Sequence, residues 1–326
     1  MKKWICIISA VALLVSLTAC GQKNGDASQP EEGGLTLLAT TYPVYLLASA
    51  VADGVEGVTV ERLNTGEVSC LHDYTLSVGD MKLIEGADIL AINGVGLEDF
   101  MGDALATAQG AVIDCSQGIE LLESLGRSHS DGDEEDDHSG HYDPHIWMDP
   151  ENAIAMAGNL CRGLSEADPD HAQTYSDNLA SVTSLVESWD SSMNDTIQEA
   201  EQNGGVSISG LVTFHDGFQY FAKAFDLPLL AAIEEEEGSE ASAQVINETV
   251  SLVKEKQIPV IFTEVNGSDA TAQAIARETG CAVSQLTMLM DGPNDGELAN
   301  YLDGLSANIK AIVNGFAGEG VIWLCS

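Results

Sequence analysis

Short apolar runs rich in β-branched residues alternate along the chain with stretches of helical periodicity. Eight of these runs predict strands. They are "LTLLATTY", "VTVERLNT", "ADILAING" and "AVIDC" in the first half, and "VSISGLVTF", "LPLLAAI", "IPVIFTEV" and "CAVSQL" in the second. Stretches such as "VYLLASAVADG", "MKLIEGA" and "SAQVINETVSLVKEKQ" predict helices between them. The alternation in each half predicts an α/β fold of two lobes with largely parallel sheets.

A long helix is predicted between the two halves. Its apolar positions recur close to a 3.6-residue period, at Leu179, Val182, Leu185, Val186 and Trp189. Pro169 falls in the first turn, where proline is tolerated, and Gly204 and Gly205 end the pattern. A helix of about 30 residues is about 45–50 Å long, so it would act as a rigid strut. We therefore expect an N-terminal lobe over 35–165, a connecting helix over 166–204 and a C-terminal lobe over 205–326.

The first 34 residues have the pattern of an export signal followed by a tether. Two lysines, an apolar stretch and "LTAC" at 17–20 predict a lipoprotein signal peptide over 1–20, in which Cys20 is lipidated. An ordinary signal peptide that happens to contain a cysteine is the alternative. Residues 21–34 are polar and rich in glycine, which predicts a flexible tether. We expect an extracytoplasmic protein, lipid-anchored to a bacterial cell membrane through Cys20.

Charge and cysteine content narrow the classes of partner. With 12 basic and 52 acidic residues the formal net charge is −40, which excludes nucleic acid as a partner. Such an acidic surface favours a cation ligand, although acidic surfaces also serve solubility alone.

Cys161 lies in an apolar helical stripe and is predicted to be a core residue. The scattered spacings of the remaining cysteines leave open a single disulfide among Cys70, Cys115, Cys281 and Cys325.

Three histidines fall in loops between a predicted strand and a predicted helix. His72 precedes a capping-box pattern that begins at Ser77, His145 precedes the helix start at Asp149, and His215 follows a buried strand. Ligands of open α/β sheets bind outside the carboxyl ends of the strands, so the three imidazoles can converge in one cleft. Imidazole suits Zn²⁺ and suits Mn²⁺ less well. A shared metal site is therefore predicted, against the alternative of three unrelated packed or capped histidines.

Several sequence blocks resemble the zinc/manganese solute-binding lipoproteins of bacterial ABC transporters. The blocks are "HDYTLSVGDMKLIEGADILAINGVGLEDF", "DPHIWMDPENA", "FHDGFQYFAKAFDLPLL" and "IFTEVNGSDATAQAIARETG", and the resemblance extends over about residues 35–315. It implies two lobes linked by one rigid helix, with a transition metal at the lobe interface. It also implies that His72, His145 and His215 are the metal-binding histidines. A histidine at the third position resembles the zinc branch, because the manganese branch typically has glutamate there.

The run "HSDGDEEDDHSGHYDPH" resembles the His- and acid-rich loop that zinc members often carry before the second ligand. His129, His138 and His141 lie in the loop over 128–142, with six carboxylates between residues 131 and 137. These carboxylates raise the local cation concentration, and we expect weak capture or sensing of Zn²⁺. The alternative is a solvated linker with no binding role.

The fourth ligand stays open because the sequence departs from the family at two positions. The family's usual aspartate falls on Thr287, and the glutamate that some zinc members place before the first histidine is Leu71. Water, Glu264, Asp291 and the thiolate of Cys70 are the candidates. We expect Glu264 to orient a histidine from behind rather than to bind the metal.

Taken together, the pattern predicts a monomeric receptor and no enzyme. It would capture Zn²⁺, or less readily Mn²⁺, and deliver it to the permease of an ABC importer. An exported zinc hydrolase is a rival, but such an enzyme needs a general base beside a metal-bound water, and no HExxH motif occurs in the sequence. An adhesin-like lipoprotein with a structural metal is a second rival.

Overall fold

All eight predicted strands are present, four in each half of the chain. The computed structural model describes residues 34–63, 74–125, 142–234, 241–265 and 267–318. The strands are β1 (Leu35–Ala39), β2 (Val58–Arg62), β3 (Ile89–Ile92), β4 (Ala111–Asp114), β5 (Leu211–His215), β6 (Leu229–Glu234), β7 (Val260–Glu264) and β8 (Ala282–Leu286). Each lies within the apolar run that predicted it or extends it by one residue.

The strands form two four-stranded sheets in which every pairing is parallel. The order is β2-β1-β3-β4 in the first sheet and β6-β5-β7-β8 in the second. The prediction of two α/β lobes with parallel sheets is confirmed. Because the strands run the same way, their carboxyl ends meet at one edge of each sheet, which is where ligands of such folds bind.

Helices connect the strands, and several of them begin at a side-chain cap. They are α1 (Tyr42–Val51), α2 (Val78–Gly86), α3 (Asp103–Thr107), α4 (Pro150–Ala167), α5 (Ala172–Gln202), α6 (Gln219–Ala224), α7 (Ala243–Lys256), α8 (Ala270–Thr279) and α9 (Leu298–Ala317). Ser77 and Asp80 form the predicted capping box of α2. The side chain of Asp149 caps α4 by accepting from Glu151 N–H, and Pro150 is the first helical residue.

The long connecting helix is α5, which has 31 residues and therefore spans about 46 Å. A short 3-10 turn at Pro169–His171 separates it from α4, so the predicted range 166–204 contains a helix end as well as the strut. Val182 and Val186 are buried as the pattern predicts, whereas Leu185, placed on the same apolar stripe, is half exposed. The boundaries of the three predicted domains remain predictions.

Contacts between the lobes are extensive. Residues from Gly34 onward belong to one compact unit, and α9, the last helix, contacts α1 and α5 as well as β8. Arg62, at the carboxyl end of β2, reaches the C-terminal lobe. Its guanidinium donates to Gly292 O at 2.6 Å and to Asn294 Oδ1 at 2.9 Å, and lies 4.7 Å from the centre of the Tyr42 ring. The lobes therefore share a hydrophobic core, and they are also joined by the hydrogen bonds of Arg62, which we name the Arg62 clamp.

The cysteines and the N-terminal predictions stand as follows. Cys161 is buried, as predicted. In the described part of the chain Cys115, Cys161 and Cys281 are free thiols, while Cys70 and Cys325 lie outside the described residues. The signal peptide, Cys20 and the tether at 21–33 also lie outside them. Among the helices that are described, none is long and apolar enough to cross a membrane.

A buried carboxyl group, Glu98, ties the ends of β1 and β3 together. It accepts hydrogen bonds from Thr40 Oγ1 at 2.6 Å, Asn93 N–H at 2.7 Å and Gly94 N–H at 3.0 Å. Burial raises its pKa to about 7 even though these donors lower it. The Asn93 side chain in turn donates to Pro144 O at 2.9 Å. Glu98 thus supports the loop that carries His145.

We expect Glu98→Gln to flatten the pH dependence of stability. In the unfolded chain Glu98 releases its proton near the ordinary glutamate pKa of 4.5, while in the folded protein it keeps the proton up to a pKa of about 7. Between these values the folded state binds more protons, so raising the pH lowers the free energy of unfolding, by about 3 kcal/mol from this group. Urea unfolding of both proteins across this pH range measures the difference. If the free energy of unfolding changed with pH equally in the wild type and in Glu98→Gln, the prediction would be contradicted. The control is Glu56→Gln, because Glu56 is exposed.

Candidate metal centre

The carboxyl edge of the second sheet and the loop before α4 bring two of the predicted histidines together. His215 is the last residue of β5, in the middle of its sheet, and His145 immediately precedes a 3-10 turn at Ile146–Met148. Both are buried, His145 at 3% and His215 at 1% exposure. Two polar rings in the core require partners, because an unpaired buried polar group is costly.

Their geometry matches that of two ligands on one metal ion. The Nε2 atoms of His145 and His215 are 3.2 Å apart, and the ring planes are nearly perpendicular, at 89°. Two nitrogens bound to one tetrahedral Zn²⁺ at 2.0–2.1 Å are separated by about 3.3–3.4 Å. The pair therefore needs almost no rearrangement to bind a single ion, and the same spacing also permits one hydrogen bond between the rings.

Asp143 fixes the His145 ring from behind. Its Oδ1 accepts from His145 N–H at 2.9 Å and lies 2.7 Å from Nδ1, while its Oδ2 is buried with no hydrogen-bond partner in the described part of the chain. The carboxylate favours a proton on Nδ1, which leaves the Nε2 lone pair directed at His215. Sequence reasoning missed Asp143, although an acid two residues before the histidine in "DPH" is a readable signal.

Glu264 lies near the other ring. It is the last residue of β7 and is 4% exposed. Its Oε1 lies 3.7 Å from His215 Nδ1, which is longer than a hydrogen bond, although a charge at this distance in the interior still attracts a cation. The role expected for Glu264, orienting a histidine from behind, stays a prediction.

The two carboxylates give the histidine pair its chemistry. Asp143 favours a proton on His145 Nδ1, which leaves the His145 Nε2 lone pair facing His215 Nε2 at 3.2 Å. The two rings share a hydrogen bond when His215 carries its proton on Nε2, and a metal cation can take the place of that proton. The negative charges of Asp143 and Glu264 stabilise such a cation. The arrangement is therefore suited to binding a metal ion through neutral imidazoles.

An apolar wall closes one side of the pair. A Cβ added to Gly217 would collide with the Met288 methyl group, and would lie 2.8 Å from His215 Cδ2 and 3.1 Å from His145 Cε1. Met288 is itself held by its backbone carbonyl, which accepts from Trp147 Nε1 at 2.9 Å. Because Gly217 has no side chain, Met288, His145 and His215 can all pack against its Cα.

Two residues that bear on the fourth ligand have other contacts: Thr287, where the family's usual aspartate falls, and the candidate Asp291. The Thr287 hydroxyl accepts from Leu289 N–H at 3.0 Å, and the Thr287 backbone exchanges two hydrogen bonds with the Asn308 side chain. Leu289 has a positive φ of 60°, so this hydroxyl supports a strained turn. Asp291 lies 3.5 Å from Arg62. Cys70, the third protein candidate beside Glu264, lies outside the described residues.

The other four histidines predicted to bind metal, His72, His129, His138 and His141, lie outside the described residues. Within the described ranges no group of three or more metal-binding side chains is found. His171, the one other described histidine, lies at the junction of α4 and α5, where Nδ1 is 2.7 Å from Asp168 Oδ2.

Comparison with known families supports the metal chemistry of this geometry. A family model described as "ZnuA: Zinc-uptake complex component A periplasmic" matches residues 37–315. The chain belongs to this family. The matched range includes both sheets, the long helix and all three histidines that the sequence predicts as ligands. Membership of the zinc-uptake component A family confirms the resemblance inferred from the sequence blocks.

Relatives within the family carry zinc and manganese names. The zinc-binding lipoprotein AdcA of Streptococcus pneumoniae strain R6 is 26% identical over 326 residues, which is 98% of this chain and 62% of AdcA. This chain therefore spans less than two thirds of that relative. The manganese ABC transporter substrate-binding lipoprotein PsaA of Streptococcus mitis is 22% identical over 97% of this chain and 100% of PsaA.

Solved structures share the fold. The laminin-binding protein Lmb of Streptococcus agalactiae, described as a bifunctional protein with adhesin and metal transporting activity, superimposes with a TM-score of 0.71. The alignment has 25% identity and covers 86% of this chain and 100% of Lmb. The two-lobed architecture is thus shared across most of the described chain.

We expect Gly217→Ala to disturb the histidine pair while leaving the fold intact. The Met288 methyl group can move aside, but the His215 ring cannot without leaving its position, so Zn²⁺ affinity should fall by about tenfold or more, on the order of 1.4 kcal/mol. Titration calorimetry of the apo protein measures it.

The matched control is Gly158→Ala in α4, where an added Cβ meets nothing within 4 Å. This change should leave Zn²⁺ affinity unchanged and stabilise the helix by about 0.5–1 kcal/mol. Equal affinities of the Gly217 and Gly158 variants would show that the close packing at Gly217 does not matter for binding.

Proposed function

We propose that the protein is an extracytoplasmic receptor that captures Zn²⁺ and delivers it to the permease of an ABC-type importer. The observation that carries the proposal is the buried His145–His215 pair, whose Nε2 atoms are 3.2 Å apart at a sheet edge. Membership of the zinc-uptake component A family and the name of AdcA support it. The metal is the cargo of this protein rather than a resident cofactor.

His72 is proposed as the third ligand. It falls in the loop between β2 and α2, and the carboxyl end of β2 lies at the same kind of edge as the ends of β1 and β3. Arg62 at the end of β2 is hydrogen-bonded to the C-terminal lobe, so the strand that precedes His72 in the sequence ends beside that lobe. Water or an acidic group would complete a tetrahedral site.

Zn²⁺ is proposed ahead of Mn²⁺ because of the donor set. Both described candidate ligands are imidazole nitrogens, and the nearby carboxylates of Asp143 and Glu264 face Nδ1 atoms rather than the space between the Nε2 atoms. Manganese prefers oxygen ligands, whereas zinc accepts three histidines readily. The manganese name of PsaA keeps Mn²⁺ as the competitor that a binding experiment must include.

Attachment to the membrane follows from the N-terminal sequence. We propose that Cys20 is acylated, that the tether at 21–34 spaces the lobes from the bilayer, and that the receptor acts as a monomer. This arrangement would keep the metal site close to a permease. The lipoprotein names of AdcA and PsaA support it.

Two other functions make different predictions. An exported zinc hydrolase would turn over peptide or ester substrates, whereas a receptor would bind Zn²⁺ reversibly with no turnover. An adhesin with a structural metal, suggested by the similarity to Lmb, would lose its fold on chelation. A receptor would stay folded without metal, because its two lobes already share a core.

We expect alanine at His72, His145 or His215 to weaken Zn²⁺ binding by orders of magnitude, since each substitution removes a direct bond to the ion. Titration calorimetry with Zn²⁺ and Mn²⁺ measures the effect. His171→Ala is the control, because this histidine pairs with Asp168 at the start of the long helix. A variant at one of the three positions that retained wild-type affinity would remove that residue from the ligand set.

Deletion of 130–139 should separate tight binding from weak capture. The loop ends lie outside the deletion, and closure entropy varies slowly with loop length, so the fold and the tight site should survive. The extra weak Zn²⁺ stoichiometry contributed by His138 and its acidic neighbours should disappear from the titration. Loss of the tight site would mean that the deleted residues belong to the primary ligand set.

A further inference from the structure

Two described segments flank residues 126–141, which include all but the last residue of the predicted His- and acid-rich loop over 128–142. They are residues 121–125 and residues 142–143, and together we name them the loop stem. An antiparallel bridge joins Glu123 to Tyr142, and Asp143 N–H donates to Leu122 O at 2.8 Å. The bridge and this hydrogen bond therefore hold the two segments of the loop stem together.

The loop stem is hydrogen-bonded to the opposite lobe, directly after His215. Leu122 N–H donates to Tyr220 Oη at 2.9 Å, and Leu125 N–H donates to Asp216 Oδ2 at 2.7 Å. Gln219 Nε2 donates to Glu123 O at 3.1 Å. Three side chains from a five-residue stretch of the C-terminal lobe thus bind three backbone groups of the loop stem.

Leu122 is hydrogen-bonded to both of the segments that carry the two histidines. Its N–H reaches Tyr220, which lies five positions after His215, and its carbonyl accepts from Asp143, whose side chain holds His145 at 2.7 Å. A continuous chain of hydrogen bonds therefore runs from the segment that carries His145 to the segment that carries His215. It lies beside the direct contact between the rings and is independent of it.

The two acceptor side chains of these contacts are buried. Tyr220 is 1% exposed and Asp216 is 7% exposed, whereas Leu125, whose N–H donates to Asp216, is 47% exposed. Burial raises the pKa of Tyr220 to about 12, while the Leu122 N–H lowers it. The hydroxyl is thus neutral and available as an acceptor. A lost partner at a buried position leaves an unsatisfied donor, which costs more than a lost surface hydrogen bond. Such contacts can hold two segments at a fixed separation.

We propose that Tyr220 and Asp216 are positioning residues of the metal site: by fixing the loop stem they set the separation of His145 and His215. This inference rests on the proposed function as a metal receptor. Neither residue touches the ion. Each acts through the backbone that carries a histidine, so removing it should widen the distribution of Nε2 separations and weaken metal binding more than it weakens the fold.

The first test compares two tyrosine-to-phenylalanine changes. Tyr220→Phe keeps the ring and removes the acceptor of Leu122 N–H, and Tyr175→Phe is the matched control. Tyr175 is also fully buried, and its hydroxyl donates to Asp168 at 2.8 Å, away from the histidine pair. We expect Tyr220→Phe to raise the Zn²⁺ dissociation constant about tenfold. Tyr175→Phe should leave the constant unchanged, although both should lower the unfolding temperature of the apo protein.

The second test uses rescue by a conservative change. Asp216→Ala should weaken Zn²⁺ binding, Asp216→Asn should restore most of it because an amide oxygen still accepts from Leu125 N–H, and Asp168→Ala is the control. Co²⁺ absorption spectra report the coordination geometry directly. They should change in Tyr220→Phe and Asp216→Ala and match the wild type in both controls.

The outcomes separate the inference from the proposed function. If the wild-type protein bound no transition metal, the receptor function itself would be wrong. If the wild type bound Zn²⁺ but Tyr220→Phe and Asp216→Ala kept its affinity and its Co²⁺ spectrum, the positioning role would be overturned. Affinity losses that merely followed the unfolding temperature, equally in Tyr220→Phe and Tyr175→Phe, would also overturn it in favour of a general effect on stability.

Discussion

The close contact of two buried imidazole nitrogens is the constraint on which the rest of the site depends. His145 and His215 present Nε2 atoms to each other at 3.2 Å, with Asp143 hydrogen-bonded to the far nitrogen of His145 and Glu264 at 3.7 Å from the far nitrogen of His215. A proton or a metal cation between the two Nε2 atoms stabilises this contact. Met288 and both rings pack around Gly217, and the loop stem is hydrogen-bonded across the lobes. A preference for cations is therefore built into the packing.

Much of this fold could be predicted from the sequence because the central strands are buried on both faces. β5 and β7 are buried along their whole length, and such strands appear as apolar runs, as in "PVIFTEV", which contains β7. At the sheet edge, β2 alternates between partly buried and exposed positions. Local caps were equally readable, since Asp149 and Pro150 mark a helix start by their own chemistry. Topology accounts for His215, which ends a strand of the second sheet. His145 lies in the loop before α4, so the contact between the two rings depends on how the lobes dock. The exposure of Leu185 was not predictable, since it depends on what α5 packs against.

The finer parts of the site depend on contacts between residues far apart in the chain. Tyr220 meets Leu122 across 98 positions and Asp216 meets Leu125 across 91, and no local pattern encodes how two lobes dock. The same holds for the packing of Gly217 against Met288. Thr287 shows the limit of resemblance as well. It occupies the position of a family ligand, but its hydroxyl supports the backbone of the next turn instead.

For the proposed receptor function, the shared core of the two lobes has a consequence for metal release. The long helix α5, the packing of α9 on α1 and the hydrogen bonds of Arg62 to Gly292 and Asn294 all oppose separation of the lobes. Separating them would expose apolar surface, which costs about 25 cal/mol per Å². In such a receptor the free energy for release would come from the partner that docks on it, through a surface that binds the open state more tightly than the closed one.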